Sequence, residues 1–159
     1  MGKKAMLSPH FSFDELTVSS SRPALEPKNR LEAAAFITSL QSLCRGLLEP
    51  VREQFGPVAI LSGFRCEALN AAIKGAANSQ HMVGEAADFH VPGVSLDTVF
   101  GWIRLNAAPL KSPGAGLLRF GQVIREPGWI HLGLGEPWRE AAKCRQVLTY
   151  DGKIYRPAV

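Results

Sequence analysis

No apolar run in the sequence is long enough to cross a membrane. The N-terminal MGKKAMLSPHFSF carries basic residues without the apolar stretch of a signal peptide, so the expectation is a chain made in the cytoplasm with no readable export signal. Cysteine is scarce: Cys44, Cys66 and Cys144 are the three present. An odd number argues against a full disulfide framework. None forms a C-x-x-C pair, which argues against a cysteine-rich zinc site. Cys44 lies in an apolar helical stretch and reads as a buried thiol; a cysteine nucleophile is the weaker alternative. Clustered positive charge is also missing. Lys3 and Lys4 are the only adjacent basic pair, and the net charge of +4 is spread along the chain. Nothing reads as a nucleic-acid stripe. Mild basicity fits attraction to polyanions, or solubility alone. There is no internal repeat and no low-complexity tract.

What is present is ordinary globular composition, 46% hydrophobic and 20% charged over 159 residues, enough for one domain with one core across 1–159. Ser12 to Leu16 reads as a short helix, with Ser12 as N-cap and Glu15 three residues on. SSSRPALEPKN reads as a loop. From Asn29 to Phe55 the apolar positions Leu31, Ala34, Ile37, Leu40, Leu43, Leu47 and Val51 recur at helical steps. Pro50 predicts a kink or restart near Glu49. PVAILS reads as a buried strand, Arg65 to Lys74 as a helix ending at Gly75, and GAANSQHMVG as a loop or turn. EAADFHV reads as a strand starting after Glu85, with Ala87, Phe89 and Val91 on one face. Ser95 caps a helix reaching about Asn106, with Asp97 in its first turn. APLKSPGAG reads as a loop. Strands follow near Phe120–Arg125 and Trp129–Leu134, split by Pro127-Gly128. QVLTY and KIYRP flank Asp151-Gly152 as a hairpin. Helices first, then an antiparallel sheet with one intervening helix, is an α+β pattern.

Chemistry concentrates on His81 and Asp88, spaced H-x6-D across Gly84, and on His131 in Trp129-Ile130-His131. Zinc accepts imidazole nitrogen and carboxylate oxygen, and two His plus one carboxylate leave a coordination position for water. Gly84 allows a tight turn between the first two. The spacing alone is weak, because a hydrogen-bonded loop or core histidine satisfies it too. His90, two residues after Asp88, faces the same way on a strand and is a candidate to orient that carboxylate. His10 reads as structural.

The motifs occur in an order that resembles the zinc D-Ala-D-Ala carboxypeptidase family (peptidase M15), especially its compact branch in bacteriophages and bacteria. The likeness runs from HFSFDEL at His10 through LLEPVREQFG, PVAILSGFR, Asn70, KGAANSQHMVGEAADFHV and GQVIREPGWIHLGL, about residues 10 to 134. It implies a hedgehog/DD-peptidase-like fold, helices packed on a small antiparallel sheet; residues 135–159 lie beyond the likeness, and their turn signal adds a hairpin to the same core. It implies Zn2+ held by His81, Asp88 and His131, and a substrate-binding arginine matched by Arg65 of Ser62-Gly63-Phe64-Arg65. A guanidinium suits a peptide C-terminus because it bonds a carboxylate in pairs; a helix-start salt bridge is the bland alternative. Ser79 is similar to a family serine near the substrate, or is a turn serine.

Many family members place an acid three residues before the last His, and here that position is Gly128. Glu126, five residues before His131, is assigned as general base, with Asp97 and Glu85 poorer candidates. Trp129 floors the cleft or fills the core, the core being preferred. The implied activity is hydrolysis of a peptidoglycan stem peptide, at D-Ala-D-Ala or at a nearby L-Ala-D-Glu type bond in a lysin acting at the cell wall. The alternatives are a non-catalytic module of the same fold that binds wall peptides or a protein, and an unrelated globular protein with structural histidines.

Overall fold

The apolar spacing upstream of Gly56 folds as one long helical stretch. It opens at α1 (Glu26–Ala33), with Pro27 in its first turn, where a missing N–H costs no helical bond. A 3-10 turn (Ala34–Phe36), α2 (Ile37–Leu43), a π segment (Cys44–Leu48) and α3 (Glu49–Phe55) follow without interruption. The expected disturbance near Glu49 is the π segment: the Glu49 N–H donates to the Cys44 carbonyl, one residue further back than in an α-helix. Pro50 has no N–H to offer, so widening the turn ahead of it lets the helix continue. These changes of pitch rotate the buried stripe. Leu40, Leu43, Cys44, Leu47, Leu48 and Val51 are fully buried, whereas Leu31 and Ile37, expected on the same face, are exposed.

This is a computed structural model that describes residues 4–106, 120–135 and 146–158. The loop expected over APLKSPGAG, and Cys144, lie outside the described residues. Downstream of the long helix come β1 (Ala59–Ser62), the short α4 (Glu67–Ala72), a 3-10 turn (Gln80–Val83), β2 (Ala86–His90), α5 (Leu96–Leu105), β3 (Phe120–Arg125), β4 (Ile130–Leu134), β5 (Gln146–Tyr150) and β6 (Tyr155–Pro157). Ser95 caps α5 by accepting from the Thr98 N–H. The fold is α+β: a long N-terminal helix with a six-stranded sheet in the order β1-β2-β4-β3-β5-β6.

The sheet is mixed, where a wholly antiparallel one was expected. β5 returns to the free side of β3 and runs parallel to it. The short turn between β3 and β4 makes an antiparallel hairpin, whereas β5, next in the described chain, pairs on the side of β3 away from β4. β1 is an edge strand with Leu61 exposed, not the buried strand that its apolar composition suggested. The β5–β6 hairpin forms as expected, and Asp151 Oδ1 accepts the Lys153 and Ile154 N–H groups in its turn.

One face of β2 (Ala87, Phe89) joins the helix residues in a single buried cluster with Ile103 of α5 and Ile130 and Leu132 of β4. Burying each large aliphatic side chain is worth about 1.5–3 kcal/mol. Polar groups tie the N-terminal segment to this body. Ser8 Oγ and the His10 N–H donate to Glu49 Oε1 at 2.6 and 2.9 Å, and His10 Nδ1 meets Glu49 Oε2 at 2.8 Å, the structural role expected of His10. Ser12 and Glu15 exchange bonds as a capping box, yet the segment is a turn and does not propagate as a helix. Asn29, fully buried in α1, donates to the carbonyls of Thr17 and Phe64 and accepts from the Cys66 N–H at 2.6 Å. That one amide fixes the segment leading to Arg65.

Candidate metal centre

Asp88 of β2 and His131 of β4 are direct cross-strand partners. Both therefore project from the sheet face opposite Ala87 and Leu132. His81 arrives from the 3-10 turn before β2, and Gly84 returns the chain with φ +69°. A Cβ at Gly84 would also sit 3.1 Å from Leu40 and 3.2 Å from Phe36, so glycine serves both the left-handed backbone and the packing.

The three side chains converge. His81 Nε2 lies 3.2 Å from Asp88 Oδ1 and 3.2 Å from His131 Nδ1, and His131 Nδ1 lies 2.8 Å from Asp88 Oδ1. A tetrahedral zinc with bonds of about 2.0–2.1 Å needs its ligand atoms about 3.3 Å apart. The observed triangle is close to one face of that tetrahedron. Among the described residues, this trio is the group able to hold a metal ion.

The surroundings prepare the donors. His81 Nδ1 meets the Gly63 carbonyl at 2.7 Å; donating there fixes the proton on Nδ1 and leaves Nε2 as the ligating lone pair. Gly63 is held against Leu16, whose carbonyl would lie 2.4 Å from any Cβ placed there, so a larger residue would push this carbonyl away. Burial lowers the pKa of His81, favouring the neutral ring that binds metal. Burial would raise that of Asp88, but the charges and hydrogen bonds of His81 and His131 outweigh it and hold the carboxylate ionised far below its usual range.

Arg65 donates from Nη2 to Asp88 Oδ2 at 2.6 Å and from Nε to Ser62 Oγ at 2.9 Å. It is therefore the group that orients the aspartate, the task expected of His90; the hydrogen bonds of Asp88 go to His81, His131 and Arg65. The helix-start salt bridge does not describe it either, since its partner is a strand carboxylate. Arg65 Nη1 makes no bond among the described residues. Burial lowers its pKa, with Asp88 opposing.

A cleft of about 720 Å³ opens over the trio. Arg65, Ser79, Glu126 and Trp129 all line it. Ser79 precedes the 3-10 turn without using its side chain as a cap, so its hydroxyl is left to the cleft. Glu126 sits just past β3, its N–H bonded to the Trp129 carbonyl at 3.0 Å around Pro127-Gly128, the fold-back expected of that turn. Only 7% of the residue is exposed. Burial first, then the charge of Asp88, raises its pKa, and His131 opposes. Neither alternative acid lines the cleft, and Asp97 is paired with Arg125 at 2.9 Å. A side chain at Gly128 would meet open space. Trp129, expected in the core, is instead 37% exposed and lines the cleft.

Three contributors were missed in the sequence: the Gly63 carbonyl, Ser62 as a brace for Arg65, and Tyr155 on the cleft wall. The first two lie inside Ser62-Gly63-Phe64-Arg65, so that segment was the signal for both. Cys44 is the buried thiol expected, its pKa pushed up to about 12 chiefly by burial.

No curated protein matches the chain. The sequence model of the Peptidase M15 family matches residues 9–131, a span that opens at the segment anchored on Glu49 and closes on the last residue of the trio. With more than three-quarters of its length so matched and a His-Asp-His group assembled inside that span, the chain belongs to the Peptidase M15 family.

Proposed function

We propose that the protein is a zinc peptidase that hydrolyses a peptide bond in peptidoglycan stem peptides, as a D-Ala-D-Ala carboxypeptidase or a related endopeptidase acting at the cell wall. The observation that carries this reading is the 2.8–3.2 Å triangle of two imidazole nitrogens and one carboxylate oxygen. His81 Nε2, His131 Nδ1 and Asp88 Oδ1 would hold the ion. When bound, zinc supplies a Lewis acid that makes water more acidic and polarises a carbonyl. Two histidines and one carboxylate leave a position open, as a catalytic site requires.

The remaining steps belong to the chain's own groups. Glu126, ionised, accepts the proton of the attacking water at its carboxylate and returns it to the leaving amine nitrogen. Its raised pKa brings it nearer the pH at which it works. Arg65 binds the substrate's terminal carboxylate through the edge not engaged with Asp88, and the Ser79 hydroxyl adds a hydrogen bond. The Asp88–Arg65 pair keeps the guanidinium fixed, so little ordering is left for binding.

A second reading, a non-catalytic module that binds wall peptides, rests on Gly128 standing where many relatives carry an acid. Release of new amino or carboxyl groups from purified peptidoglycan, by wild type and by Glu126→Ala with equal zinc content, tests both. Activity in wild type alone is expected. Equal release from both proteins removes Glu126 from the mechanism, and no release from zinc-loaded wild type favours the binding module.

A further inference from the structure

The residues that build the cleft extend well beyond the matched family span. The strand registers link one cross-strand row from β2 to β6: Asp88 opposite His131, His131 opposite Ile124, Ile124 beside Leu148, and Leu148 opposite Pro157. Residues two places along in each strand share this face. The adjacent row is thus Trp129, Glu126, Tyr150 and Tyr155. The chain's two tyrosines are both in the β5–β6 hairpin, with their rings stacked at 4.3 Å. Ile124, Leu148 and Tyr155 line the same cleft as the metal trio, and Gln122 and Gln146 bond each other at 2.8 Å along it. Tyr155 is 54% exposed there.

We infer that the β5–β6 hairpin is a substrate subsite, receiving the peptide on the N-terminal side of the cut bond, with Tyr155 as its principal contact. The direction rests on the proposed function. If Arg65, on the β1–β2 side, holds the carboxylate end and the cut bond lies at the trio, the N-terminal part must cross β3 and β5 toward β6. The chemistry fits that part. The floor is aliphatic, the far wall is a stacked aromatic pair, and two side-chain amides offer donors and acceptors to a peptide backbone. From β4 to β6 there are three strand spacings, roughly 14 Å. That is room for about four extended residues.

The test is a series of peptides with one to five residues before the cut bond and a common C-terminal residue. Hydrolysis (kcat/KM) and calorimetric binding are both measured, on zinc-loaded wild type, Tyr155→Ala and Tyr155→Phe. In wild type, kcat/KM is expected to rise with length and level off at about four residues. Tyr155→Ala should lower it about tenfold for the four-residue peptide, through KM, and leave the one-residue peptide unchanged. Tyr155→Phe, which keeps the stack, should keep the length dependence. Should Tyr155→Ala not fold, Tyr155→Arg replaces it and should shift preference toward peptides with an acidic fourth residue. A flat wild-type series, or short and long peptides losing equally in Tyr155→Ala, overturns the subsite. Length-dependent binding without hydrolysis keeps the subsite and sinks the peptidase reading. Hydrolysis independent of length does the reverse.

Discussion

Zinc should stabilise this protein by an amount that can be stated beforehand. His81, Asp88 and His131 bring their ligand atoms within 3.2 Å of one another although His131 is 50 residues from His81 and 43 from Asp88. The unfolded chain has no such cluster, so the metal binds the folded state almost alone. At a free zinc concentration about 100 times Kd, linkage contributes about 2.7 kcal/mol. For a chain of this size each kcal/mol raises Tm by about 2–4 °C, so a rise of about 5–11 °C is expected. Scanning calorimetry of chelator-treated protein, with and without added zinc, measures it. His81→Ala and Asp88→Asn are the controls, and both should lose most of the rise. If wild type shows no rise at saturating zinc, or if the two variants rise as far as wild type, the metal is not bound where the triangle lies.

Other outcomes follow from the same geometry. Glu126→Gln should lower kcat by about 10²–10⁴-fold with zinc content unchanged. Because Glu126 must be ionised to accept a proton and its pKa is raised by burial and Asp88, the acidic limb of kcat/KM in wild type should lie above the ordinary glutamate value of about 4.3 and vanish in the variant. Gly84→Ala should cost about 1–2 kcal/mol in denaturant unfolding, from its φ of +69° and the approach to Leu40 and Phe36. Glu49→Ala should cost about 1–3 kcal/mol by loss of the bonds from Ser8 and His10. Those bonds outweigh burial and depress the Glu49 pKa, so its contribution is complete above the unfolded value and is lost as pH falls through the folded one. Unfolding curves of wild type and Glu49→Ala should differ more at pH 7 than at pH 3.

Much of this was legible in the sequence because it is local. The Ser95 cap, the Asp151-Gly152 hairpin and the strand limits around Pro127-Gly128 each depend on a few adjacent residues, and the structure has them as expected. The long helix was legible in extent but not in phase. A single periodicity cannot place Leu31 when a 3-10 turn and a π segment change the pitch between it and Val51. The trio was legible only through the order of its motifs, since H-x6-D fixes nothing about a histidine 43 residues away. What failed depends on packing across the chain. Arg65 beside Asp88, Trp129 at the cleft and β5 parallel to β3 are decided by which strand lands next to which.

The pairing of Asp88 with His131 ties the proposed metal capture to strand alignment. A slip of one residue between β2 and β4 would turn Ala87 or Phe89 outward and drive the carboxylate among the aliphatic side chains, where an unpaired charge is costly. If the trio holds an ion as proposed, a misaligned chain would be denied it, and the ion in turn would select the correctly threaded chain from its near neighbours. Colour change on binding cobalt would therefore report correct threading of the sheet as directly as it reports the site.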